Sequence, residues 1–167
     1  NKVIAISGTG EKTNVLGTEG TNPTGVDIGP NGLLYTVSKS DHCVRRFDFN
    51  GGVEVVAGQE GIECSTSDPD YPECGDGGPA LEARLSSPED LAVGPDGTIY
   101  VADTGTHKIR RVGPDGIVSV AAGSGQECNM DDASWPGCDT VDDCFFNPPE
   151  FDPEGDQAVF PVKKNIR

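Results

Sequence analysis

Basic residues are scarce in this chain: 12 Lys and Arg stand against 28 Asp and Glu, a net charge of −16. No nucleic-acid partner is expected, because such partners require Lys and Arg to neutralise phosphates. A polybasic membrane-surface role fails for the same reason. No apolar run approaches the roughly 18 residues of a membrane span, so no membrane insertion is expected. Helix formers are thin, with 10 Ala and 6 Leu, which argues against a helical fold. No Asn-x-Ser/Thr sequon occurs, since Asn22-Pro23-Thr24 carries proline in the middle position.

What is present points the other way. The 16 Val and 8 Ile favour strands. The 23 Gly and 13 Pro mark many tight turns without reaching low complexity. An all-β fold follows. Acidic residues concentrate in two segments, 60–76 and 127–143, that read as loops. Six cysteines (Cys43, Cys64, Cys74, Cys128, Cys138 and Cys144) in a turn-rich acidic chain suggest an oxidising, extracellular compartment. The chain opens at Asn1 with no leader. A mature or excised secreted product is therefore expected.

The chain repeats itself. The segment from Gly25, GVDIGPNGLLYTVSKSDHCVRRFDFNGGVEVVAG, aligns with DLAVGPDGTIYVADTGTHKIRRVGPDGIVSVAAG from Asp90. Gly32 matches Gly97, Tyr35 matches Tyr100, His42 matches His107 and Arg45 matches Arg110, at a constant offset of 65. The offset falls to 64 at Cys64/Cys128 and Cys74/Cys138. Each copy reads as four short strands; in the second they lie near Asp90–Val93, Ile99–Ala102, Lys108–Val112 and Val118–Ala122. Gly-Pro-Asp-Gly sits between the first two and again between the last two, where Pro fixes φ and Asp-Gly favours a turn. Such a meander cannot bury both its faces alone and must stack on its copies, as in a β-propeller. A third, degenerate copy spans 145–167 and lacks its last strand. That strand stands at the other end: Val3-Ile4-Ala5-Ile6-Ser7-Gly8 matches Val118–Gly123.

CGDGGPALEARLSSPEDLAVGPDGTIYVADTGTHKIRRV, from Cys74, resembles an NHL repeat in its Gly-Asp-Gly-Gly-Pro-Ala opening, its Val-Ala-Asp-Thr-Gly turn and its His-x-Ile-Arg strand. The resemblance covers 74–123, extends to 21–64, and reaches 145–167 plus 1–10, where Phe160-Pro161-Val162 replaces the Val-Ala-Asp-Thr-Gly turn. It implies a propeller-type array of three four-stranded antiparallel blades: 21–64, then a disulfide loop at 65–84, 85–128, a second disulfide loop at 129–144, and a split blade of 145–167 with 1–10. NHL proteins are usually six-bladed and diverse in role, including adhesion ectodomains such as the teneurins, an amidating lyase and RNA-binding regulators, so the fold does not give the function. The lyase resemblance would require a histidine-rich zinc site, and this chain has two histidines.

Cys64/Cys74 and Cys128/Cys138 lie ten apart at equivalent places in two copies and are read as local disulfides. Zinc binding is the rival use, but neither the Cys-x-x-Cys spacing nor a nearby histidine supports it. Cys43 and Cys144 either pair with each other or link to another chain. The two histidines share one repeat position and are read as serving its turn. Asp68, Asp70, Asp131 and Asp132 are candidate calcium ligands, since calcium takes six to eight oxygens, but no EF-hand pattern occurs and solvated loops are the alternative; no other cofactor is expected. Arg45, Arg46, Arg110, Arg111 and Arg167 form either a ligand-binding ring or surface pairs with carboxylates such as Asp48 and Asp103. Tyr71 and Trp135, at near-equivalent places in the two loops, suit contact with a glycan or an extracellular protein, or packing on their own blade.

No catalytic signature is found, so no enzyme is expected. The split blade needs its last strand, Val3, Ile4, Ala5 and Ile6, beside Lys164, Ile166 and Arg167. That pairing is satisfied within one chain, by exchange between two chains, or by head-to-tail donation into a filament. The resulting expectation is a secreted structural protein that self-assembles, as a homo-oligomer or fibre. A binding fragment of a larger adhesion or sensor ectodomain is the alternative.

Overall fold

The repeated Gly-Pro-Asx-Gly turns lay out the strands. In each, the Asx side chain accepts a backbone hydrogen bond two residues on: Asn31 Oδ1 from Leu33 at 3.0 Å and Asp96 Oδ1 from Thr98 at 3.0 Å. The closing bonds from Gly29 to Leu33 and from Gly94 to Thr98 then start a hairpin. The computed structural model describes residues 2–15, 21–48 and 50–125. They form a two-stranded hairpin, β1 (Ile4–Ile6) with β2 (Lys12–Asn14), and two four-stranded antiparallel sheets.

Blade 1 is a meander of β3 (Pro23–Ile28), β4 (Leu34–Ser38), β5 (Cys43–Phe47) and β6 (Val53–Ala57). Blade 2 repeats it with β7 (Asp90–Val93), β8 (Ile99–Asp103), β9 (Lys108–Val112) and β10 (Val118–Ala122). The strands of blade 2 match the sequence reading within one residue. The fold is all-β; a single 3-10 turn, Thr104–Thr106, interrupts the strands among the described residues. No helix among them is long and apolar enough to cross a membrane.

Antiparallel pairing gives each blade two faces. The forward face of blade 1 carries Tyr35, Val37 and Val44, in register with Asp27, Gly25 and Ala57. It packs on the rear face of blade 2, where Leu91, Ile99, Val101, Val112 and Val118 complete one core cluster. The inner strands approach closely: a Cβ on Gly25 would come within 2.6 Å of the Asp90 carboxylate and 2.8 Å of its Cα. Asp27 reaches across to accept the Val93 N–H at 2.7 Å.

The rear face of blade 1 is covered differently. Leu34 and Phe47 are buried there under Val15 and Val3 of the N-terminal hairpin. The opening strand expected at Val3–Ile6 thus exists, but its partner among the described residues is β2, a strand the sequence did not reveal. Its expected neighbours Lys164, Ile166 and Arg167, and the third blade with them, lie outside the described residues.

Candidate functional site

The chemistry-bearing side chains gather where one blade hands over to the next. The crossing begins with Cys64, whose N–H donates to Leu85 at 2.9 Å, and makes a loop closed by the Cys64–Cys74 disulfide, with Cα atoms 5.9 Å apart. The loop leans on blade 2: the Tyr71 hydroxyl donates to the Gly105 carbonyl at 3.3 Å, and Lys108 Nζ donates to the Pro72 carbonyl at 2.8 Å. Tyr71, one candidate for partner contact, is accordingly half-buried and bonded to the neighbouring blade.

The Gly-Asp-Gly-Gly-Pro-Ala segment follows and runs along the outer edge of β10. Gly77 donates to Val118 at 2.8 Å, Val118 donates back to Gly78 at 3.0 Å, and Ala80 donates to Gly116 at 2.8 Å. On its other side Gly58, at the end of blade 1, donates to Ala80 at 2.9 Å. One short segment therefore covers a sheet edge and ties two blades, which protects backbone groups that otherwise invite foreign strands.

Beneath it lies a buried ionic network. Arg110 has no exposed surface and meets Asp103, equally buried, at 3.2 Å. Its Nε lies 2.7 Å from Asp76 Oδ1, an ion pair whose angle falls outside hydrogen-bond geometry. Lys108 adds a third charge, 3.0 Å from Asp76. Asp103 also accepts the Ser86 N–H at 2.6 Å and the Thr106 hydroxyl at 2.8 Å. Burial nevertheless pushes the Asp103 carboxyl above its ordinary value, with those hydrogen bonds and Arg110 opposing the shift. Blade 1 holds a looser version: Arg45 pairs with Asp41 and with the mostly exposed Glu60, each at 2.8 Å.

Several sequence expectations are corrected at this junction. Arg110 is in no simple surface pair, because β9 turns it onto the rear face of blade 2 against blade 1; Arg45 takes the equivalent place on the rear face of blade 1, and Arg46 does pair with the exposed Glu54 at the surface. Asp48 is no partner of theirs; its Oδ1 accepts the N–H groups of Asn50 and Gly52 and closes the β5–β6 turn. Asp68 and Asp70, the candidates for calcium among the described residues, both lie against Arg84, Asp68 at 2.9 Å. The Arg84 hydrogen bond holds the Asp70 carboxyl below its ordinary value. Cys64, Asp68 and Cys74 do bring potential metal ligands within 4.8 Å of one another, but the two sulfurs are joined to each other.

Among the described residues Cys43 has no disulfide partner; β5 turns it into the rear face of blade 1, where it is fully buried, and Cys144, its expected partner, lies outside the described residues. Burial raises the Cys43 thiol to about 11. His42 and His107 both adopt left-handed φ of 54°. Their carbonyls sit against Gly58 and Gly123, where a Cβ would clash. His42 Nδ1 also accepts the Ser87 N–H at 3.3 Å, linking the two blades. Cys128, Cys138, Cys144, Trp135, Asp131 and Asp132 lie outside the described residues. Arg84 was not singled out by the sequence; Asp76 was marked by the acidic loop and by its Gly-Asp-Gly-Gly-Pro-Ala motif.

The teneurin NHL domain profile matches residues 39–143, more than half of the 167. The chain belongs to the teneurin NHL domain family. Comparison with curated proteins gives no match. Among solved structures, this NHL chain resembles an auxiliary nutrient binding protein from Bacteroides thetaiotaomicron at 23% identity and a TM-score of 0.55, covering 73% of this chain and 31% of that one. A gluconolactonase from Xanthomonas campestris shows 17% identity and a TM-score of 0.52, with 74% and 40% covered. Virginiamycin B lyase from Staphylococcus aureus gives 17% identity, a TM-score of 0.47, and 72% and 33% covered. At these identities the likeness is one of fold, a β-propeller. The NHL chain spans about a third of the length of the first of these structures.

Proposed function

We propose that this chain is a non-enzymatic sector of an extracellular NHL propeller, serving as a protein-binding part of a larger adhesion or sensor ectodomain. The observation that carries the reading is the junction between the blades. There Asp76, Asp103, Lys108 and Arg110 neutralise one another out of water, and the two histidines shape turns. Groups so engaged hold blades in place and present no reacting atom to a substrate. The disulfide loop and the match to an adhesion-type domain support an extracellular setting. The lactonase and lyase among the fold relatives bear only on architecture.

Self-assembly by donation of the first strand is the reading the sequence alone favoured. The β1–β2 hairpin gives that strand a partner inside its own chain, so a neighbouring chain is not needed to supply one. The test is direct. The chain, secreted from cells and supplied with zinc or calcium, is assayed for lactonase and lyase turnover. None is expected; metal-dependent turnover lost in His42→Ala or His107→Ala would overturn the proposal.

A further inference from the structure

Four hairpin turns of the two blades carry an Asx residue before a glycine, at Asn31, Asn50, Asp96 and Asp115. In three of them the Asx oxygen accepts the backbone N–H two residues on: Asn31 from Leu33 at 3.0 Å, Asp96 from Thr98 at 3.0 Å and Asp115 from Ile117 at 3.1 Å. Asn50 is the exception. The N–H that would hold it, that of Gly52, donates to Asp48 Oδ1 at 2.8 Å instead. Asp48 stands where blade 2 has Gly113, so only blade 1 has a carboxylate there to capture that bond. Asn50 is exposed, and its side chain has no hydrogen-bond partner among the described residues. The matching turn of blade 2, 114–116, is exposed as well, although Ala80 of the crossing segment donates to Gly116 there at 2.8 Å.

We infer that Asn50-Gly51 is a site of spontaneous deamidation, and that the fold confines the reaction to it by restraining Asn31-Gly32, the other Asn-Gly pair of the chain. The Gly51 nitrogen attacks Asn50 Cγ, a C–N bond forms, and the side-chain nitrogen leaves as ammonia. Water then opens the cyclic imide at either carbonyl, giving aspartate or isoaspartate. No oxidant, metal or co-substrate enters. Glycine at the second position leaves the attacking nitrogen uncrowded. The Gly51 N–H is held loosely, 3.3 Å from the Asp48 carbonyl, against 2.9 Å between Gly32 and Gly29. The Asn31 amide is tied at both ends, since its Nδ2 also donates to the Tyr35 hydroxyl at 3.1 Å. Both bonds must break before Asn31 Cγ can turn to Gly32, which slows it by about tenfold or more relative to Asn50. Conversion to aspartate gives blade 1 the acidic residue that blade 2 has at Asp115, and isoaspartate also adds a carbon to the backbone of the turn.

Peptide mapping with isoaspartate detection, on the folded 167-residue chain held at mildly alkaline pH, tests this. Conversion at Asn50 is expected to outpace that at Asn31 by about tenfold or more. In urea the two rates are expected to converge, because the fold no longer distinguishes the sites. Asp48→Ala returns the Gly52 N–H to Asn50, so it slows Asn50 and leaves Asn31 unchanged. Equal rates in the folded chain, a faster Asn31, or a preference for Asn50 that survives in urea overturns the inference. An Asn50 rate unmoved by Asp48→Ala overturns the part assigned to Asp48.

Discussion

Arg110 and Asp103 are the residues on which the junction turns, because both are fully buried and oppositely charged, and removing Arg110 leaves the Asp103 carboxylate with no opposite charge against it. Removing one partner of such a pair costs about 3–5 kcal/mol. Arg110→Ala should lower stability by that amount in urea unfolding. Arg45→Ala should cost clearly less, because its partner Glu60 can return to water. Asp103 also sets a pH dependence. Burial lifts its folded carboxyl above the ordinary value of 3.8, so its contribution is fully present below that pH and is lost as pH rises through the folded value. The stability of the wild type relative to Asp103→Asn should accordingly fall as pH rises from 3.8, read from urea midpoints across the acid range. Cys43 belongs at this scale too. Buried and raised to about 11, it should resist thiol reagents at neutral pH until denaturant is added, as peptide mapping of the labelled protein will show.

At the scale of elements, the insert after blade 1 behaves as a clamp rather than as a spacer. Its disulfide fixes the loop that carries Tyr71 and Pro72 onto blade 2. Cys64→Ser with Cys74→Ser should cost about 2–3 kcal/mol on the chain-entropy account, measured by denaturant melts against the wild type. Tyr71→Phe removes only the bond to Gly105 and should cost about 1 kcal/mol or less. The strand layout itself was legible, since the Asx turns and the alternating Val and Ile positions of residues 90–122 fix it locally. The pairing of Lys12–Asn14 with Ile4–Ile6 was not, because a three-residue strand whose members are all charged or polar has no readable period.

For the molecule as a whole, the close approach of the blades decides stability as much as the core does. Gly25→Ala drives a Cβ into the backbone of Asp90 and should destabilise by about 1–3 kcal/mol through separation of β3 from β7. Thermal melting detects it, and an unchanged midpoint would contradict the packing described.

The sequence by itself determined the repeat, the all-β class, the strands of each blade and the turn role of the paired histidines, because each of these follows from spacing and local turn chemistry. Only the tertiary structure decided the roles of the charged residues. Whether Asp68, Asp70, Asp76 or Asp103 faces water, a cation or an arginine depends on which strand edge and which neighbouring blade lies opposite, and residue type carries no record of what it will meet across a fold.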